Sequence, residues 1–83
     1  MLIVIDVGNT NITLGVYDKD DLIATFRLTT KLQRTSDEFG ITLFSFLQTK
    51  DINPQAVEAV LISSVVPKIM HSLTNAIRKY FNI

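Results

Sequence analysis

A chain of 83 residues can form one small domain and no more. Eight basic and eight acidic residues balance, so nothing attracts nucleic acid or an anionic membrane over long range. Cysteine is absent, which excludes disulfides and thiol chemistry. The longest apolar run, Met1 to Ile5, is far too short to span a membrane and lacks the charged leader of a secretion signal. Hydrophobic residues make up 47% of the chain, enough for a core and too many for a disordered segment. These features predict a soluble protein of the cytoplasm.

Leu2-Ile3-Val4-Ile5 is a short apolar run rich in β-branched residues, as expected of a central strand buried on both faces. Turn formers follow in Asp6-Val7-Gly8-Asn9-Thr10-Asn11. Ile12, Leu14 and Val16 then alternate with Thr13, Gly15 and Tyr17, the period of a half-buried second strand. Past the polar turn Asp18 to Asp21, the alternation of Leu22, Ala24, Phe26 and Leu28 predicts a third strand, completing an antiparallel meander.

Thr35-Ser36-Asp37-Glu38 has the form of a capping box, with Thr35 as N-cap and Glu38 reaching back to its amide. Phe39, Leu43, Phe46 and Leu47 continue at helical spacing and predict a helix from Ser36 to Thr49. Gly40 inside it costs roughly 1 kcal/mol relative to alanine, which points to close packing there. Ala59-Val60-Leu61-Ile62 predicts a fourth, buried strand. Pro67 suits the first turn of a last helix, whose apolar stripe runs through Ile69, Leu73, Ala76, Ile77 and Tyr80. The order β-β-β-α-β-α is the opening of a ribonuclease-H-like α/β domain, here one unit over residues 1–83. A further strand and helix normally follow in that fold. The chain therefore reads as an incomplete domain whose fourth strand has an unpaired edge, open to association with another chain.

Asp6-x-Gly8-x-Thr10 lies between the first two strands. A carboxylate closing a buried strand is held in place to collect Mg²⁺, usually through the metal's waters. Gly8 lets the backbone approach a phosphate closely, and amides in a tight turn form a small anion-binding concavity. Asn9, Thr10 and Asn11 add neutral donors. No Gly-Lys-Ser/Thr follows, so this is not a Walker A loop. Gly-Asn between two alternating strands is also ordinary hairpin chemistry. The aspartate favours the phosphate reading, because a buried carboxylate needs compensation.

Asp6-Val7-Gly8-Asn9-Thr10-Asn11 resembles the first phosphate motif of the actin, hexokinase and Hsp70 ATPase superfamily. Arg34-Thr35-x-Asp37-Glu38-Phe39 and Ser63-Ser64-Val65-Val66-Pro67 narrow the resemblance to type III pantothenate kinases, in family order along the whole chain. The resemblance implies an actin-like ATPase domain that transfers the γ-phosphate of ATP to pantothenate, the first step of coenzyme A synthesis. It implies cytosolic homodimers that need Mg²⁺ and a monovalent cation, K⁺ or NH₄⁺. On this resemblance Asp6 stands near the metal, and Val7, Gly8, Asn9, Thr10, Asn11, Ile12 and Thr13 form the ATP phosphate-binding loop. The family's catalytic aspartate, second phosphate motif, adenosine pocket and cation site match nothing in these residues, so no catalytic residue is assigned here. Two alternatives stand beside this reading. One is a nucleotide-binding or structural piece without turnover; the other is a kinase with another small acceptor.

The remaining candidates read as structural. Asp37 and Glu38 suit the helix N-terminus better than acid–base work. Arg34 suits a surface salt bridge, with phosphate or substrate contact as the alternative. Ser63 and Ser64 suit turn hydrogen bonds, since no base accompanies them. His71 lies off the apolar stripe and suits a solvated position; a zinc-type site would need further ligands. Phe26, Phe39, Phe44, Phe46 and Phe81 suit the core, because no basic stripe accompanies them.

Overall fold

The computed structural model describes all residues, Met1–Ile83. β1 (Leu2–Val7), β2 (Asn11–Asp18) and β3 (Asp21–Thr29) precede α1 (Ser36–Thr49). A 3-10 turn at Pro54–Ala56, β4 (Ala59–Ser64) and α2 (Pro67–Phe81) follow. The sheet order is β3-β2-β1-β4, with β1 antiparallel to β2 and parallel to β4. This is the expected α/β order, consistent with the first part of an actin-like ATPase domain.

Alternation decides what the sheet covers. Ile3, Ile5 and Val7 of β1 and Ile12, Leu14 and Val16 of β2 face the helices and are buried. They share one core with Phe39, Leu43 and Leu47 of α1 and Leu73, Ala76 and Ile77 of α2. Both helices therefore lie on the same face, and the opposite face stays open.

That open face corrects three expectations. β1 is central but buried on one face only, with Val4 half-buried and Asp6 exposed. Asp6 consequently does not close a buried strand, and burial of its carboxylate gives no argument for a compensating ligand. β4 is a half-covered edge strand, with Leu61 59% exposed. The apolar character of Leu2, Val4 and Leu61 hides the alternation that would have revealed this. Leu22 also departs from its stripe. A bulge between Val16 and Tyr17 sets Leu22 opposite Tyr17, moving it to the open face.

Local signals terminate the helices. Thr35 Oγ1 accepts from the Glu38 amide at 3.1 Å, and Glu38 Oε1 accepts from the Thr35 amide at 2.8 Å. α2 starts at Pro67 and ends at Asn82 in the left-handed region, φ 58°. Phe26 stacks on Phe46 at 4.6 Å, and Phe44 meets Tyr80 and Phe81 edge-on, so the aromatic residues serve packing.

A contact between the start of α1 and the end of α2 was not legible in either helix alone. The Tyr80 ring lies against Gly40, where a Cβ would collide with it. The Tyr80 hydroxyl and Lys79 Nζ both donate to Asp37 Oδ1, at 2.6 and 2.8 Å. The Lys79 hydrogen bond, followed by that of Tyr80, holds Asp37 below the usual carboxylate range. The same contact raises both Lys79 and Tyr80.

Helix propensity alone predicts that Gly40→Ala stabilises α1 by about 1 kcal/mol. The collision with Tyr80 reverses the sign: the urea midpoint should fall, with a net loss of about 1–3 kcal/mol. The Asp37 cluster sets a pH window. A depressed carboxylate adds stability above its unfolded pKa of about 3.9, lost as pH falls through the lower folded value. The raised Lys79 and Tyr80 add stability below their unfolded values of about 10, lost as pH rises through the folded ones. Asp37→Asn should flatten both limbs in melts at about pH 3, 7 and 11. Since Asp37 and Lys79 are exposed and Tyr80 is half-buried, the change at neutral pH should be small. Unchanged limbs would show that other groups set them.

Candidate functional site

The turn joining β1 to β2 is anchored by two core side chains. Val7 and Ile12 point inward, 0% and 1% exposed, so only their backbone faces the turn. The Gly8 amide donates to the Asn11 carbonyl at 2.9 Å. Gly8 has no positive φ; a Cβ there would sit 3.1 Å from that carbonyl, tighter than ordinary van der Waals contact. Asn9, Thr10 and Asn11 are exposed.

Hydrogen bonding around the turn is one-sided. The Val7 carbonyl accepts from the Val65 amide at 3.1 Å, and the Thr10 carbonyl accepts from the Thr30 amide at 3.0 Å. The Thr30 hydroxyl donates to the Gly8 carbonyl at 2.8 Å. Three carbonyls are thus occupied from within the fold, while the N–H groups of Asn9 and Thr10 find no protein acceptor. A turn with most of its carbonyls engaged and two N–H groups free can receive an anion. Thr30, 7% exposed, is the one buried polar side chain here, and the sequence reading missed it. Its partner Gly8 is 22 residues distant, beyond any local pattern.

Asp6 and Thr13 pair across β1 and β2, with Ser63 and Arg27 continuing the row on the open face. Asp6 takes no hydrogen bond or ion pair. It lines an open cleft of about 610 Å³ with Thr13, Tyr17 and Arg27. No group of three His, Cys, Asp or Glu side chains converges anywhere. One free carboxylate fits a hard cation whose other ligands are water and phosphate oxygens, and does not fit an all-protein metal cage.

A second cleft, also about 610 Å³, opens between the β3–α1 connection and the start of α2. Arg34 is part of its wall. The expected salt bridge of Arg34 is absent: its Nη1 donates to the Thr29 carbonyl at 2.7 Å, and the guanidinium lies 5.7 Å from the Phe39 ring centre. Backbone carbonyls take its hydrogen bonds, and no carboxylate comes within 4.0 Å of it. Ser64 makes the expected turn bonds, its Oγ accepting from the Val66 amide at 2.9 Å. His71 is exposed beside Asn75.

The profile of one protein family, described as type III pantothenate kinase, matches residues 2–83. A type III pantothenate kinase of Agathobacter rectalis is 52% identical over all 83 residues. Those of Listeria welshimeri and Listeria monocytogenes serovar 1/2a are each 48% identical over the same span. The match covers 32% of each relative, so the chain spans about a third of the length of the curated relatives it matches.

Thr30→Val removes the hydroxyl that holds the Gly8 carbonyl and spares the backbone bond to Thr10. It should cost about 1 kcal/mol of stability and speed exchange of the Gly8 amide. Unchanged exchange at Gly8 would show that the turn holds itself.

Proposed function

This chain belongs to the type III pantothenate kinase family, and on that premise we propose that it carries the ATP phosphate loop of a kinase acting on pantothenate. The observation that carries this reading is the one-sided turn, with three carbonyls engaged and the Asn9 and Thr10 N–H groups free. Residues 1–83 act as one unit, the first phosphate-loop part of an actin-like ATPase domain.

The roles follow from position. The free amides of Asn9 and Thr10 receive phosphate oxygens, with the exposed side chains of Asn9, Thr10 and Asn11 as further donors. Gly8 lets the chain turn tightly enough to present them. Val7 and Ile12 fix both ends of the loop in the core, so the donors are positioned before nucleotide arrives. Thr13 lines the cleft beside Asp6. Asp6 is the carboxylate that would hold Mg²⁺ through its waters, and Mg²⁺ would supply charge neutralisation at the phosphates. Phosphoryl transfer needs several such parts to converge. The base that acts on the pantothenate hydroxyl, the second phosphate motif, the adenosine pocket and the monovalent-cation site are assigned to family segments that these 83 residues do not match. By the same family resemblance the working kinase is a cytoplasmic homodimer using K⁺ or NH₄⁺. No helix is long and apolar enough to cross a membrane.

An amide NMR titration with Mg-ATP tests the loop. Shifts should concentrate on Gly8 to Thr13, and Asp6→Asn should weaken them roughly tenfold, about 1.4 kcal/mol. Shifts spread elsewhere, or none in a folded spectrum, would remove the phosphate assignment and leave a hairpin turn.

A further inference from the structure

We propose that Thr30 is a positioning residue for the β1–β2 turn, whose hydroxyl sets the direction in which the Asn9 N–H points. That this donor is aimed at a nucleotide phosphate rests on the phosphate-loop reading; the orienting role does not.

A two-residue hairpin turn is ordinarily closed by two backbone bonds exchanged between the residues that flank it. Gly8 and Asn11 flank Asn9 and Thr10, yet only one of the two bonds forms, from the Gly8 amide to the Asn11 carbonyl at 2.9 Å. The reciprocal bond, from the Asn11 amide to the Gly8 carbonyl, is not made. That carbonyl accepts instead from Thr30 Oγ1 at 2.8 Å. Closure of the turn has passed to a side chain 22 residues away.

The consequence lies in one peptide unit. The Gly8 carbonyl and the Asn9 N–H belong to the same plane. That peptide is trans, as are all the others, so its two polar groups point in opposite directions. Holding the carbonyl on Thr30 turns the N–H away from Thr30. An engaged carbonyl also makes the N–H of its own peptide a stronger donor. Without the hydroxyl, the Gly8 carbonyl has no partner in the protein and nothing fixes the plane.

Thr30 is itself firmly placed. It is 7% exposed, so water competes little for its hydroxyl. Its branched Cβ restricts χ1 and hence where Oγ1 can sit. Its N–H donates to the Thr10 carbonyl at 3.0 Å, so one residue holds carbonyls on both sides of Asn9. The other end of the same peptide, the Thr29 carbonyl, accepts from Arg34 Nη1 at 2.7 Å. The Arg34 guanidinium in turn lies against the buried Phe39 ring. The hydroxyl is thus aimed from a base braced by the core.

The experiment compares the parent with Thr30→Val and Thr30→Ser by NMR. In the parent, the Thr30 hydroxyl proton should exchange slowly enough to be observed; immediate exchange with water overturns the proposal without any variant. Without ligand, the residual dipolar coupling of the Asn9 N–H reports its direction. Thr30→Val should change that coupling while those of β1 and β2 hold, and Thr30→Ser should keep it. A coupling unchanged in Thr30→Val, or changed equally in Thr30→Ser, overturns the proposal. With Mg-ATP, Thr30→Val should bind roughly tenfold more weakly, whereas Thr30→Ser should stay within roughly threefold of the parent. Both variants melt lower, one having lost a buried hydroxyl and the other a buried methyl. A merely structural Thr30 would therefore weaken binding in step with Tm in both, and that result also overturns the proposal. A parent that ignores Mg-ATP removes the phosphate reading, while the ligand-free couplings still decide what Thr30 orients.

Discussion

Ile3, Ile5 and Val7 project from one face of β1 into the space beneath both helices, and the remaining elements are placed by the need to cover them. They are 0–1% exposed. β1 is also the strand where antiparallel and parallel pairing meet, with β2 on one side and β4 on the other. Removing these side chains from water is the main gain available to so short a chain. Covering them from one side forces α1 and α2 into mutual contact, and that contact brings Gly40 under Tyr80 and Asp37 to Lys79. The same strand ends in Val7, so the core also fixes one foot of the turn that carries the candidate site.

At the β1–β2 turn, the polarity on which the proposed function rests comes from how hydrogen bonds are distributed. The chain is neutral, and no cluster of metal-ligating side chains forms. The β1–β2 turn nevertheless acquires polarity, because Thr30 and Val65 engage the Val7, Gly8 and Thr10 carbonyls while the Asn9 and Thr10 amides stay free. Such a device is short-ranged. It acts on a ligand already delivered, in contrast to a basic surface that draws anions from solution.

Elements with local signatures were legible in the sequence. The capping box fixed the start of α1 at Ser36, Pro67 marked the start of α2, and the alternation of Ile12, Leu14 and Val16 gave β2 its buried face. Gly40 announced close packing, although not its partner. What escaped depends on residues far apart in the chain. One-sided burial of β1 was masked because Leu2 and Val4 are apolar on the open face as well. The Asp37 cluster joins positions 42 and 43 residues apart. Asp6 is exposed, so compensation of a buried carboxylate does not apply to it, and the bond from Thr30 to the Gly8 carbonyl is visible only in the tertiary structure.

The sheet's mixed pairing also orders its assembly in time. β1, β2 and β3 are neighbours in the chain and zip together through tight turns, whereas β4 must return across α1 to reach β1. Local pairings form sooner than those that close long loops. At ribosomal speeds of about 5–20 residues per second, the stretch from the end of β3 to the end of α1 takes roughly 1–4 s to emerge. Throughout that interval a three-stranded ribbon presents Ile3, Ile5, Ile12 and Leu14 to the cell with nothing laid over them. The nascent chain is therefore most vulnerable before its first helix is made, and that bare ribbon is the natural place for a chaperone to hold it.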